Sequence, residues 1–240
     1  MTVLDDQTQQ RIHELVRAGD AGARWAVGGP DGTHAVGGDG DTPSDVGRLA
    51  AVLALWPVIG SLVTAGELTL HTPLAAYGPA AAGTSGKTTA HQLLTHPDGV
   101  PALTRLAEHL CGGPLAECAT ARVWHPLRMS RTRFAGGSLH ASLGDLGRFL
   151  GHLLSTADHP VSRSWTAESL RIRTGELTPA RGLLWHPVAG GVWAHGDGPS
   201  VWVSPRHHRW AALLPAHGTG PLRTAFRDAV FTAPTAPTAR

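Results

Sequence analysis

The chain has 240 residues, 42% hydrophobic and 16% charged, with a formal net charge of +2. That length can bury a real core in one domain, and a weak charge without a run of Lys or Arg argues against a nucleic-acid or anionic-membrane partner. Lys87 is the one lysine, Tyr77 the one tyrosine, and asparagine does not occur, so chemistry that needs a lysine elsewhere or any asparagine is excluded.

The first residues are acidic and lack the apolar run of a secretory signal, and no apolar stretch of about 20 residues is present for a membrane span. A cytoplasmic protein is expected. Ile12, Leu15 and Val16 share a helical face that Gly19 closes. Ala23 to Val27 and Thr33 to Val36 flank a Gly-Pro-Asp-Gly turn and read as a β-hairpin. Thr42 to Asp45 offers helix-cap chemistry. Residues 49–63 are apolar all round, the mark of a buried helix, with Pro57 expected to kink or break it. Residues 78–86 read as a Gly/Ala/Ser loop. Short helices follow at His91 to Thr95, Leu103 to Leu110 and Leu115 to Trp124, the last two divided by Gly112-Gly113-Pro114. Leu143 to Leu154 is amphipathic, with Ser142 as its cap ahead of Asp145.

The last third is aromatic-rich and broken by turns. Gly182 to Val188, Gly191 to His195, Ser200 to Ser204 and Arg209 to Leu214 read as an antiparallel meander. Leu222, Phe226, Ala229 and Val230 mark a final helix, and residues 232–240 a disordered Pro/Thr/Ala tail. Strands at both ends with helices between them give an α+β fold: one antiparallel β-sheet flanked by N- and C-terminal helices. Cys111 and Cys118 are too few for a disulfide framework and read as free buried thiols.

Five segments in chain order resemble the serine β-lactamase and penicillin-binding-protein-like family, in its class C and esterase branch. They are LVTAGELTLHTPLAAYGP (62–79), HQLLTHPDGVP (91–101), WHPLRMSRTRF (124–134), AGGSLHASLGDLGRFL (135–150), and the closing strands with HGDG (195–198). The resemblance covers about residues 20–231. It implies one β-lactamase-like domain over 1–231 with a reduced helical lobe at about 48–181.

The resemblance also implies where the chemistry should sit. The family takes its nucleophile and base from a Ser-x-x-Lys one helical turn apart. Here the matching serine falls among Arg48, Leu49, Ala50 and Ala51, and the lysine among Ala51, Val52, Leu53 and Ala54; none of these has a hydroxyl or an amine. The family's Tyr-x-Asn or Ser-x-Asn motif has no counterpart, because there is no Asn. Its Lys/His-Thr-Gly strand is half present, as His195 and Gly196 followed by Asp197 and Gly198.

Other patterns carry less. GTSGKTT (83–89) misses the P-loop spacing, since position 81 is Ala. Ser138 and Ser142 are not in a Gly-x-Ser-x-Gly elbow. His91 and His96, and the adjacent His207 and His208, lack metal-site spacing, so no metal and no cofactor is expected. The Trp residues at 185, 193, 202 and 210 read as sheet packing, with Trp193 and His195 on one face by alternation.

These readings converge on a protein of β-lactamase-like fold that does not form a serine acyl-enzyme and acts in small-molecule binding or interaction, with Arg48 and Trp193 as binding residues. The alternative is a repurposed enzyme using His195 and Asp197 as acid–base groups. A third reading relocates the nucleophile to Ser138 or Ser142. Oligomeric state is not legible.

Overall fold

The computed structural model describes residues 4–82, 87–174, 179–217 and 220–232. Most of the tail read over 232–240, and Gly83 to Gly86 of the P-loop-like segment, lie outside the described residues. The first elements are α1 (Asp6–Gly19), β1 (Arg24–Gly29), β2 (Gly32–Gly37), β3 (Ser44–Asp45), α2 (Trp56–Thr64), α3 (Pro79–Ala82), α4 (Ala90–Thr95), α5 (Val100–Cys111) and α6 (Leu115–Ala119). They are followed by β4 (Arg133–Ala135), β5 (Ser138–Ala141), α7 (Leu143–Leu154), α8 (Arg163–Ser169), β6 (His186–Val188), β7 (Val192–His195), β8 (Ser200–Ser204), β9 (Arg209–Leu214) and α9 (Gly220–Phe231). The chain forms two compact units, one of residues 1–49, 128–156 and 188–240, the other of residues 50–127 and 157–187.

The first unit is built on a six-stranded sheet in the order β2-β1-β9-β8-β7-β6. Neighbours from β2 through β7 run antiparallel. Strand alternation sends Trp25, Val27, Val192, Ala194, Trp202, Ala211 and Leu213 to one face, where Ile12 and Val16 of α1 and Leu222, Phe226 and Val230 of α9 cover them. The Phe226 ring meets Trp202 at 5.8 Å and Trp25 at 6.0 Å between centroids. On the other face α7 lies across β1 and β9. Trp210 fills that layer and donates its indole N–H to the Gly29 carbonyl at 2.9 Å. A Cβ at Gly28 would come within 2.5 Å of the Trp210 ring, so only glycine admits it. The expected α+β fold, with its N- and C-terminal helices against an antiparallel sheet, is the fold observed.

Several local expectations change. Thr42 to Asp45 does not simply cap a helix: Ser44 and Asp45 pair with Ala141 and His140 as β3. Residues 133–141, for which the sequence suggests no strand, form a hairpin turned by Gly136 and Gly137 at φ 59° and 80°. Its strands are too short for a period-2 pattern to show. α8 was not anticipated, and α3 occupies part of the expected loop at 78–86. The strand expected from Gly182 shrinks to His186–Val188 because Leu184 sits at φ 63°, outside any strand conformation. Trp185 therefore leaves the meander.

In the second unit, Trp185 instead meets Trp56 edge-on at 5.9 Å, and Trp165 meets the same ring at 5.9 Å. Pro57 stands in the first turn of α2, where the helical run changes from π to α geometry. The run from Gly47 to Thr64 passes through a 3-10 turn, a π turn at Ala51–Leu55 and then α2. Pro57 has no N–H for the Leu53 carbonyl one turn back, and the buried Trp124 indole donates to that oxygen at 2.8 Å. Trp124→Phe should therefore lower stability by about 1–3 kcal/mol, the cost of an orphaned buried carbonyl. Chemical denaturation checks this, and adding Pro57→Ala, which restores a donor, should recover part of the loss. The same 18-residue run, Gly47–Thr64, has a mean hydropathy of 1.6 and so is apolar and long enough to cross a membrane, contrary to the sequence reading; it is 61% buried in the fold.

Candidate functional site

The residues singled out from sequence gather in the first unit, where the chain enters the Gly47–Thr64 run. The second sheet, ordered β3-β5-β4, sets Asp45 opposite His140. Ser138, two residues before His140, donates its hydroxyl to Asp45 Oδ1 at 2.5 Å, and the Gly47 N–H donates to the same oxygen at 2.8 Å. The Ser138 hydrogen bond, then the Gly47 amide, hold the Asp45 carboxyl below the usual carboxylate range. A Cβ at Gly47 would stand 2.3 Å from Ser138 Oγ, so a larger residue there would have to turn that hydroxyl away from Asp45.

Arg48 follows, and its Nη1 lies 3.4 Å from Asp197 Oδ2, with 68% and 82% of the two side chains exposed. Such an open pair adds little stability, about 0–1 kcal/mol. Asp197 belongs to a tight loop after β7. Gly196 sits at φ 98° and Gly198 at φ 154°. A Cβ at Gly196 would fall 2.1 Å from the Pro199 carbonyl and 2.8 Å from Leu49 Cδ2. Arg223 of α9 clamps this loop from behind. Its Nη2 donates to the Gly196 carbonyl at 2.8 Å and its Nε to Ser200 Oγ at 2.9 Å, while its guanidinium lies over the Trp202 ring at 5.6 Å. The Ser200 hydroxyl in turn donates to the Gly198 carbonyl at 3.0 Å.

His195 is the last residue of β7, half-buried and opposite Val201. Val192 and Ala194 point toward α1 and α9, so Trp193 and His195 point to the other face, as alternation requires. The strand ends there, however, so alternation does not extend to Asp197. Asp197 forms a salt bridge with Arg48. Trp193 is 8% exposed, a packed ring.

The two serines weighed as relocated nucleophiles have structural duties. Ser142 is 1% exposed and caps α7, accepting the Asp145 N–H at 3.2 Å. Ser138 donates a hydrogen bond to Asp45, whose carboxyl that bond and the Gly47 amide hold at low basicity, which makes a poor general base. Among the described residues no group of three or more His, Cys, Asp and Glu side chains could hold a metal ion. His91 stacks on His71, with ring centroids 4.8 Å apart. The Asp45–Ser138 link and the Arg223 clamp were missed from sequence. Each joins residues about 90 or 25 positions apart, and no local motif announces them.

The fold is that of the serine β-lactamases and penicillin-binding-protein-like proteins. The chain is similar to a β-lactamase (Mb2281c) from Mycobacterium bovis, 22% identical, covering 90% of this chain and 97% of that one at a TM-score of 0.73. It is also similar to a class C β-lactamase from Rhodobacter sphaeroides, 14% identical over 95% of this chain and 99% of that one, TM-score 0.76. EstCE1, a hydrolase with promiscuous acyltransferase activity, is 10% identical over 94% and 98% of the two chains, TM-score 0.77. By sequence, no protein-family model and no curated protein matches.

Proposed function

We propose that this chain keeps the β-lactamase-like scaffold without serine acyl-enzyme chemistry and serves in small-molecule binding or interaction. One observation carries this reading. The turn where the nucleophile would stand holds Arg48, Leu49, Ala50 and Ala51, and the chain's single lysine is Lys87. Without a hydroxyl and an amine one helical turn apart, no side chain there can attack an acyl carbon or take the proton of the attacking group. Arg48 is the binding residue of this reading. It is exposed and presents its guanidinium in an open ion pair with Asp197 that a competing anion can displace. Trp193 serves it as packed support for the strand that ends at His195.

The proposal includes a cytoplasmic setting, no nucleic-acid partner and no membrane partner; the low net charge supports the exclusion of nucleic acid. A labelled penicillin and a fluorophosphonate should each leave the intact mass of the folded protein unchanged. Stoichiometric covalent labelling by either would refute the proposal.

The second reading keeps an enzyme, with His195 and Asp197 as acid–base groups. The half-buried imidazole at the end of β7 supports it, and the Arg48–Asp197 pair weighs against it by engaging the carboxylate. This reading requires ester or amide turnover that His195→Gln abolishes. An active His195→Gln protein would end it.

A further inference from the structure

A cleft of about 470 Å³ opens in the second unit at the C-terminal end of α2. That volume suits a small molecule. Its walls come from the end of α2, from a π turn at Thr120–Trp124 and from the segment leading into α8. Ala65, Ala121, Pro126 and Pro160 give it an apolar part, and Arg122 gives it a cation. π turns are rare and recur at functional sites. This one buries Val123 and Trp124 while it sets Arg122 on the cleft.

Neighbouring groups aim the guanidinium. The Ser61 hydroxyl donates to the Val58 carbonyl at 2.8 Å, which leaves its oxygen to accept Arg122 Nη1 at 3.3 Å. Glu67 Oε1 stands 3.6 Å from the same nitrogen, an ion pair longer than a hydrogen bond, with 34% of the Arg122 and 43% of the Glu67 side chain exposed. The fold thus already sets a carboxylate beside this guanidinium, and holds it loosely. The Glu67 backbone is fixed independently, since its N–H donates to the Leu62 carbonyl at 2.9 Å just beyond Gly66 at φ 75°. Its side chain can therefore swing into water without opening the helix end. Thr64 and Ser162 add a hydroxyl pair to the lining, 3.2 Å apart. The Asp158 carboxylate on the same lining accepts the Arg163 N–H at 2.7 Å, which holds it toward the start of α8.

We propose that this cleft binds a small organic carboxylate, whose oxygens replace Glu67 at the Arg122 guanidinium and whose short apolar group lies against Ala65, Ala121, Pro126 and Pro160. A planar guanidinium matches a carboxylate through paired N–H donors, a geometry that the 3.6 Å contact to Glu67 does not reach. The cleft lies wholly in the second unit and does not depend on the reading of Arg48, which belongs to the first.

The test is titration of the folded full chain with sodium isovalerate, followed through the amide signals of Ala65, Ala121 and Arg122 by heteronuclear NMR. These signals should move saturably, and neutral isovaleramide at the same concentrations should leave them in place. Arg122→Gln should weaken binding about tenfold or more, the loss of a charge-assisted contact. Glu67→Gln should tighten binding by about two- to fivefold, because it removes the competing charge of an open ion pair. Shifts that never saturate, or equal shifts with the amide, overturn the proposal. So does binding that Arg122→Gln leaves intact or that Glu67→Gln fails to tighten.

Discussion

Asp145→Ala should cost about 2–4 kcal/mol of folding stability, because it strips the acceptor from several groups at once. Asp145 is 0% exposed. Its Oδ2 accepts the Arg131 N–H at 2.8 Å and the Thr132 hydroxyl at 2.9 Å, while Oδ1 takes Arg148 Nη1 at 2.6 Å. Arg148 is half in solvent and can turn to water after the change. The Arg131 amide and the 7%-exposed Thr132 have less freedom, so the penalty falls on them. Asp145→Asn keeps the shape and one acceptor, and should lose about half as much. Urea unfolding followed by circular dichroism measures both. A loss below about 0.5 kcal/mol for the alanine variant, the range of ordinary surface changes, would show that this carboxylate does not hold the segment before β4 to α7.

Trp56→Ala should cost about 3–5 kcal/mol, the range for deleting a buried large aromatic side chain. Trp56 is 0% exposed, touches the Trp165 and Trp185 rings, and donates its indole N–H to the fully buried Ser169 hydroxyl at 2.9 Å. Alanine leaves a cavity and an unpaired hydroxyl. Trp56→Phe keeps most of the volume and should lose chiefly the hydrogen bond, about 1 kcal/mol. Near-ultraviolet circular dichroism adds a local readout, since the three indoles are packed together. Equal losses in the two variants would contradict the cavity argument.

Legibility followed the range of the forces involved. α7 was bounded correctly, with its Ser142 cap, because a cap and an apolar stripe are local signals. β8 and β9 were bounded for the same reason: each is a short β-prone run between turn residues. The hairpin at 133–141 escaped because its strands have three and four residues. Trp185 was misplaced on a strand because its partners are Trp56 and the Leu184 turn, neither visible from neighbouring residues. The donor that serves the Leu53 carbonyl in place of a Pro57 N–H is Trp124, 71 positions from Leu53, so it is not visible from neighbouring residues.

The site divides in the same way. The sequence by itself determined that no Ser-x-x-Lys pair exists, because residue 84, three before the one lysine, is Thr, and that no Asn-bearing motif exists, because asparagine is missing at any register. Composition could not say what surrounds Arg48. Tertiary structure decided that Asp197 pairs with Arg48, that Ser138 is tied to Asp45, and that Arg223 holds the Gly196–Gly198 loop. Those contacts span long stretches of chain, and only the packing of strands and helices brings their ends within hydrogen-bonding distance.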